Sequence, residues 1–289
     1  MLINMKKMLS VANEHNFAVP AFNISDYSML NGIFEVCEET RSPVIIATGF
    51  EEIGHMGYEA AAAIREKAVN ASIPVVLHLD HGASFTEAAA VIRHGYTSVM
   101  IDGSMLPYEE NIALCKKVAE LAHVSDVSVE GELGTIGATS PQNTELSAKK
   151  IIFTDPDTVE DFISRSGIDS LAVAIGTSHG LYPKDAKPKL QIELLRQIKA
   201  KAAVPLVLHG GSSNLDTEIA AAVDAGINKI NISSDIKLAY FTQMQETLKT
   251  AALTDPIAIH KPCVEAMKAV AAHKIRLFKA DGKAELYTR

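Results

Sequence analysis

The chain has 289 residues, of which 47% are hydrophobic and 21% charged, and its formal net charge at pH 7 is −8. This composition is typical of a globular enzyme with a large core. The acidic balance and the absence of a long Lys/Arg run exclude nucleic acid as an expected partner. Three widely spaced cysteines indicate a reducing compartment rather than a disulfide framework. No apolar run has the length of a signal peptide or membrane span, so we expect a cytoplasmic protein with no membrane partner.

Hydrophobic periodicity divides the chain into alternating strands and helices. The predicted strands begin near residues 17, 43, 74, 97, 127, 169, 204 and 227. The predicted helices cover 2–15, 26–40, 58–70, 85–95, 108–123, 154–166, 190–200, 216–225, 235–252 and 261–272. The polar stretch 134–153 is too long for an ordinary connection, and such loops often cover a functional site or are mobile.

Eight strands that alternate with helices predict an α/β fold, a (β/α)₈ TIM barrel with extra C-terminal helices. No linker-like change in composition interrupts the alternation, so we expect a single domain over residues 1–289. A doubly wound open sheet is the alternative, but no G-x-G-x-x-G pattern follows the first strand.

The stretch Pro74–Gly82, PVVLHLDHG, turns from a buried apolar run into ionisable side chains. A buried carboxylate or imidazole costs several kcal/mol unless it is paired or bound to a metal, so packing does not explain Asp80 and His81. We interpret His78, which lies two residues before Asp80, as a structural residue. The end of this third strand is therefore a candidate site.

Two later apolar runs also end in a histidine, His179 after the sixth strand and His209 after the seventh. The carboxyl ends of barrel strands converge on one face, so both side chains can meet His81 there. A single histidine at a strand end is more often a capped polar residue. Three on one face, beside a carboxylate, favour a site for zinc or another borderline divalent ion.

Further polar residues follow other strands at the same face. Asp102 ends the fourth strand and Glu132 the fifth. Asp80 is either close to the metal itself or a partner that orients a ligand imidazole. Loops after the last two strands of such barrels often bind phosphate, although ordinary turn chemistry is the alternative. The candidate residues in these two loops are Gly210, Gly211, Ser212, Ser233, Ser234 and Lys237, with Asn231 beside them, and Gly180 and Lys184 follow His179 after the sixth strand.

The chain resembles the class II, metal-dependent ketose-bisphosphate aldolases, and within them the tagatose-bisphosphate aldolase branch. The segments that carry the resemblance occur in the family's order over almost the whole chain. They are VPAFNI (19–24), SPVIIA (42–47), LHLDH (77–81), SVMIDGS (98–104), SVEGELG (128–134), DSLAVAIGTSHGLY (169–182), VPLVLHGGSS (204–213) and KINISSDIK (229–237).

The resemblance implies that His81, His179 and His209 bind a catalytic Zn²⁺ and that Asp80 is the acid/base for the substrate hydroxyl. Glu132, and Asp102 with it, would provide a second metal position or orient the ligands. It also implies a pocket for the phosphate of the dihydroxyacetone-phosphate half, with a monovalent cation such as Na⁺ or K⁺ nearby. That pocket would include Gly180, Lys184, Gly211, Ser212, Asn231 and Ser234. The expected partners are a phosphorylated sugar and further copies of the chain, as a homodimer or homotetramer.

Three departures from the family pattern limit what the resemblance implies. Glu145 is the only carboxylate in the loop after the fifth strand, where the family usually has a proton-transfer residue. Ser233 and Lys237 replace the usual Asp and Arg. The tail reads LFKADGKA (277–284) where the family usually has Gly-Ser, and the resemblance would place Lys283 at the basic position that reaches a neighbouring subunit's site. The last two departures concern the end of the pocket that selects the aldehyde.

The first functional hypothesis is therefore reversible cleavage of a ketose 1,6-bisphosphate, of the tagatose or fructose type, to dihydroxyacetone phosphate and glyceraldehyde 3-phosphate. A ketose or sugar-acid 1-phosphate is the alternative substrate for the same mechanism. A metal-dependent TIM-barrel hydrolase is less consistent with the sequence, because such enzymes usually have an H-x-H pair in the first strand and Ala21–Asn23 has none. A non-catalytic partner subunit is the remaining alternative.

Overall fold

Short apolar, β-branched segments form the strands of a closed parallel barrel in the computed structural model, which describes residues 1–138, 151–182, 188–250 and 255–287. The strands are β1 (Val19–Asn23), β2 (Val44–Thr48), β3 (Val75–Gly82), β4 (Ser98–Ile101), β5 (Ser128–Leu133), β6 (Gly137–Ala138), β7 (Ser170–Val173), β8 (Ser178–His179), β9 (Leu206–Leu208) and β10 (Ile227–Ile232). The barrel order is β1-β10-β9-β7-β5-β4-β3-β2, and β6 pairs with β8 outside it. The predicted TIM barrel and all eight strand positions are confirmed.

Helices follow the barrel strands and cover the outside of the barrel, so the strands are buried on both faces. They are α1 (Met5–Glu14), α2 (Tyr27–Glu39), α3 (Phe50–Met56), α4 (Glu59–Asn70), α5 (Phe85–Arg93), α6 (Tyr108–Val124), α7 (Pro156–Ser166), α8 (Ile192–Lys201), α9 (Asp216–Asp224), α10 (Ser234–Thr250) and α11 (Pro256–Leu277). Within the described ranges, no helix combines the length and apolar character needed to cross a bilayer.

Two helices outside the strand–helix alternation complete the core. α1 buries Met5, Met8 and Leu9 against strands of the barrel, and its Lys6 N–H donates to Ser128 at the start of β5. This helix therefore lies at the amino-terminal end of the barrel. α11 packs along α10 and α2, which confirms the expected C-terminal addition to the barrel.

The largest differences from the predicted helices concern α3 and α11. The sequence did not indicate α3, because this seven-residue helix contains Gly54 and buries only Ile53 among its side chains. α11 begins at Pro256 rather than near Lys261, since the Asp255 side chain accepts the Ile257 N–H and caps an earlier start. The helix then continues through Pro262. The sequence had placed the start of the helix next to this proline, because proline is common in the first turn of a helix.

Candidate active site

The carboxyl ends of the barrel strands surround a pocket of about 730 Å³. Most of the predicted site residues line it, namely Asp80, His81, Asp102, His179, Gly180, Gly210, Ser212, Asn231, Ser233, Ser234 and Lys237. His209, Glu132 and Gly211 are buried next to these residues. Lys184 and Glu145 lie outside the described residues.

An irregularity in β3 positions the first part of the site. The pairing register between β3 and β4 shifts between Leu79 and Gly82, so the strand bulges where it delivers Asp80 and His81. His81 has a φ of 50°, a left-handed conformation that costs a non-glycine residue about 1–3 kcal/mol. In a regular strand, the side chains of two consecutive residues point to opposite faces. The bulge allows both Asp80 and His81 to face the pocket.

The three predicted histidines meet at one point. The ring nitrogens Nε2 of His81 and Nε2 of His179 are 3.2 Å apart, and the ring of His209 lies 4.6 Å from that of His81. One ligand nitrogen from each residue lies within 4.8 Å of the others. The convergence that the strand ends predicted is present in the structure.

Carboxylate partners direct the lone pairs of two of these imidazoles to the same point. His81 Nδ1 lies 3.1 Å from Asp102 Oδ2, and His209 Nε2 lies 2.7 Å from Glu130 Oε1. Because a carboxylate accepts, each of these nitrogens carries the proton. In the neutral rings, the opposite nitrogens, His81 Nε2 and His209 Nδ1, would therefore face the site as acceptors, as metal-binding imidazoles do.

The charges around the histidines also suit a cation. Burial alone lowers the pKa of His81, but Asp80 and Asp102 outweigh it and raise that pKa to about 9. Burial, together with His81 and His209, lowers the pKa of His179 to about 3, so its ring is neutral. A bound cation would displace the proton of His81, and three neutral imidazoles beside two carboxylates would then form a donor set that fits Zn²⁺. A second group of possible ligand atoms comprises His81, Asp102 and Glu132.

Asp80 is held by two amide groups. Its Oδ2 accepts from Asn23 Nδ2 at 2.8 Å and its Oδ1 from Asn231 Nδ2 at 3.0 Å. Burial raises the pKa of Asp80, but His81 and His209 outweigh it, so the pKa lies well below its usual range. Asp80 is therefore an ionised carboxylate with a fixed orientation, at 8% exposure. Asn23 was not predicted as a site residue. Its position at the end of the first strand was the signal in the sequence that could have indicated this role.

A second group of charges, which we call the inner cluster (Glu130, Lys229 and His78), lies inside the barrel. Glu130 Oε2 accepts from Lys229 Nζ at 2.7 Å, and all three side chains are fully buried. Burial raises the pKa of Glu130, but Lys229 outweighs it and lowers that pKa to about 2. His78 hydrogen-bonds Ser98 at 2.8 Å, which agrees with its structural interpretation. The sequence did not reveal Lys229 as a partner of Glu130.

The glycine-rich loops lie beside the histidines. Gly180 and Gly210 have φ values of 98° and 63°, which glycine adopts without strain. A Cβ at Gly210 would lie 2.6 Å from the carbonyl oxygen of Ser178, so only glycine fits there. Ser212 Oγ accepts the N–H groups of Ser233 and Asp235 at 3.3 Å and ties the two loops together.

The predicted basic residues have different surroundings. Lys237 reaches the pocket, where its Nζ donates to Glu52 Oε1 at 2.7 Å. Lys283 Nζ lies 5.9 Å from the ring centroid of Phe17, which precedes β1. Lys283 therefore contacts the amino-terminal side of the barrel in its own chain. Glu52 belongs to α3 and was missed with that helix.

Comparisons with known proteins agree with this geometry. The family model described as "Fructose-bisphosphate aldolase class-II" matches residues 3–283. The chain belongs to this family. It is 37% identical to a fructose-bisphosphate aldolase of Geobacillus stearothermophilus over 288 residues, which are 98% of this chain and 99% of the relative. The predicted resemblance is thereby confirmed, and the chain is a class II aldolase and hence a lyase.

Two further relatives of this aldolase have related names. It is 38% identical to the D-tagatose-1,6-bisphosphate aldolase subunit GatY of Klebsiella oxytoca over 284 residues, 98% of this chain and 99% of that one. The crystal structure of the YdjI aldolase of Escherichia coli superposes with a TM-score of 0.87 at 34% identity, covering 98% of this chain and all of that one.

Proposed function

We propose that this class II aldolase reversibly cleaves a phosphorylated ketose to dihydroxyacetone phosphate and an aldehyde, with Asp80 as acid/base and Zn²⁺ as cofactor. The 1,6-bisphosphates of tagatose and fructose are the substrates that the names of its relatives support. The observation that carries the proposal is the meeting of three imidazoles beside a carboxylate that two amides hold in place.

We assign the metal to His81, His179 and His209. The donor set supports this assignment because Asp102 and Glu130 leave one lone pair of His81 and one of His209 directed at the common point. Zn²⁺ held there would supply a Lewis acid for the negative charge that develops as the carbon–carbon bond breaks. His81, Asp102 and Glu132 offer a second position, as the resemblance implied.

Asp80 accepts the proton of the hydroxyl group on the carbon that becomes the aldehyde. As that proton leaves, the neighbouring carbon–carbon bond breaks, the aldehyde forms, and the electron pair remains on the dihydroxyacetone-phosphate half. A proton from solvent then adds to that half at carbon, and Asp80 releases to solvent the proton that it accepted; in the condensation direction Asp80 gives its proton to the new hydroxyl. Asn23 and Asn231 orient the carboxylate for both directions.

We place the phosphate of the dihydroxyacetone-phosphate half in the loops that follow β8, β9 and β10. Backbone N–H groups and hydroxyls are suited to phosphate, and these loops carry them beside the histidines. The residues are Gly180, Gly210, Gly211, Ser212, Asn231, Ser233 and Ser234, with Lys184 outside the described ranges and a monovalent cation as an additional partner.

We propose that residues 1–289 form one domain, that the chain is cytoplasmic, and that it assembles as a homodimer or homotetramer. Analytical ultracentrifugation tests the last of these, and a monomer at micromolar concentration would contradict it.

The proposed reaction is tested by dihydroxyacetone phosphate release from tagatose and fructose 1,6-bisphosphates and from ketose 1-phosphates. We expect release by the zinc-loaded protein, loss with a chelator, and recovery when zinc is restored. The ratio of the release rates from tagatose and fructose 1,6-bisphosphates gives the stereochemical preference of the enzyme. Absence of release from every substrate would contradict the proposal and favour a non-catalytic subunit.

A further inference from the structure

Glu52 occupies a position on the pocket wall that the proposed chemistry does not use. It lies in the first turn of α3, and its side chain is 15% exposed. Its Oε1 accepts from Lys237 Nζ at 2.7 Å, and its Oε2 accepts from the Gly49 N–H at 2.5 Å. Both carboxylate oxygens are therefore engaged, one by a lysine and one by the start of the helix.

This pairing changes what Lys237 can offer a ligand. A lysine on a pocket wall is a suitable partner for a phosphate group. Here the ammonium group already contacts a carboxylate, so a phosphate that reaches Lys237 must lie next to Glu52 or displace it. Like charges in contact repel, and Glu52 cannot turn away without releasing the Gly49 N–H.

The position of Glu52 relates it to the aldehyde half of the substrate. A Cβ at Gly49 would lie 4.0 Å from the backbone oxygen of Asp80, so the loop that carries Glu52 adjoins the proposed acid/base. Asn23, which binds Asp80, lines the same wall. Since Asp80 acts on the carbon that becomes the aldehyde, the remainder of that half extends towards this wall.

We propose that Glu52 is a specificity-determining residue that cancels the recognition of a phosphate on the aldehyde half by Lys237. The protein therefore accepts a ketose 1-phosphate whose aldehyde half carries uncharged hydroxyl groups about as well as it accepts a bisphosphate. A second phosphate then adds little to recognition, although bisphosphates are still cleaved. This inference rests on the proposed aldol cleavage and defines its substrate range.

The test compares kcat/KM for fructose 1,6-bisphosphate with kcat/KM for fructose 1-phosphate, and likewise for the tagatose pair. Glu52→Gln retains an oxygen for the Gly49 N–H but removes the charge that holds Lys237. We expect the bisphosphate-to-monophosphate ratio to be within about threefold of one in the wild type and to rise at least about tenfold in this variant. Adding Lys237→Met to Glu52→Gln should reverse the gain.

Glu51→Gln is the matched control, because Glu51 is an exposed carboxylate in the same helical turn and on the same pocket wall. It should change the ratio less than about threefold, since Lys237 remains paired with Glu52. An unchanged ratio in Glu52→Gln, or an equal rise in Glu51→Gln, would overturn the inference. The second outcome would mean that net charge alone, rather than the Lys237 pair, sets the preference.

Failure of the aldol chemistry is distinguishable from failure of this inference. Release of dihydroxyacetone phosphate with an unchanged ratio refutes only the role of Glu52. If no substrate is cleaved, the role of Glu52 can still be tested by measuring the binding of glyceraldehyde 3-phosphate to the metal-free protein by calorimetry. Glu52→Gln should bind it more tightly than wild type and Glu51→Gln should not; equal affinities would overturn the inference.

Discussion

Two groups of charged side chains lie along the barrel, and they differ in how their polar atoms are satisfied. In the inner cluster, Glu130 and Lys229 are fully buried and bonded to each other. In the pocket cluster (Asp80, His81, His179 and His209), ring nitrogens converge on one point at the edge of a cavity. Internal pairing indicates a structural role, whereas acceptors that face a common point indicate a ligand.

His209 connects the two groups. One ring nitrogen contacts Glu130 of the inner cluster at 2.7 Å, and the other faces Asn231 in the pocket at 3.3 Å. The inner cluster therefore supports the pocket, because Lys229 keeps Glu130 ionised and Glu130 fixes the tautomer of His209. Variants in each group should consequently affect different observables.

The largest effect is expected at Asp80. Asp80→Ala removes the proposed acid/base, and we expect kcat to fall by about 10³-fold, a typical value for such groups. Zinc content, measured by mass spectrometry, should remain at the wild-type level because the three histidines are intact. A variant with substantial turnover would refute the acid/base role.

The next effect separates the inner cluster from the pocket. Lys229→Met leaves Glu130 as a buried carboxylate that has lost its lysine counter-ion and keeps only the hydrogen bond from His209, and the free energy of unfolding should fall by about 3–5 kcal/mol. Urea denaturation of the zinc-free protein measures this. The double variant Glu130→Gln/Lys229→Met should recover most of the loss, since no lone charge remains. A double variant as unstable as Lys229→Met would contradict the structural role of the pair.

His209→Ala breaks the connection between the two groups. We expect the zinc dissociation constant to rise at least about 100-fold, as for the loss of an important metal-site group. His273→Ala is a control, because His273 is an exposed surface residue paired with Asp216. Retention of wild-type zinc affinity in His209→Ala would remove this residue from the ligand set.

The smallest effect concerns a lysine with neutral partners. Lys199 Nζ donates to the amide oxygens of Asn13 and Asn228, and burial lowers its pKa to about 8. Between pH 8 and 10.5 the unfolded chain retains a proton at Lys199 that the folded chain has lost, so the free energy of unfolding rises with pH. Relative to Lys199→Met, the wild type should therefore gain stability over this window.

The control for this pH effect lies on the same helix. Lys201 is partly exposed and pairs with Asp157 at the surface. Lys201→Met should leave the slope of unfolding free energy against pH as in the wild type. Parallel curves for wild type and Lys199→Met would contradict the effect of burial on Lys199.

The sequence predicted the barrel and the pocket cluster for the same physical reason. Apolar runs specify buried strands, and an ionisable residue at the end of such a run has no packing role. The sequence could not reveal the pairing of Glu130 with Lys229, because the two residues are 99 positions apart and their contact depends on closure of the barrel. Glu52 was missed since α3 has no apolar stripe, and its partner Lys237 is distant in sequence.

The most direct test of the difference between the two groups is anomalous X-ray diffraction at the zinc edge, from crystals grown with one equivalent of zinc. A metal centre in the pocket predicts a single strong peak among His81, His179 and His209. A protein that binds zinc without a peak at these residues would contradict the assignment of the pocket cluster as the metal centre.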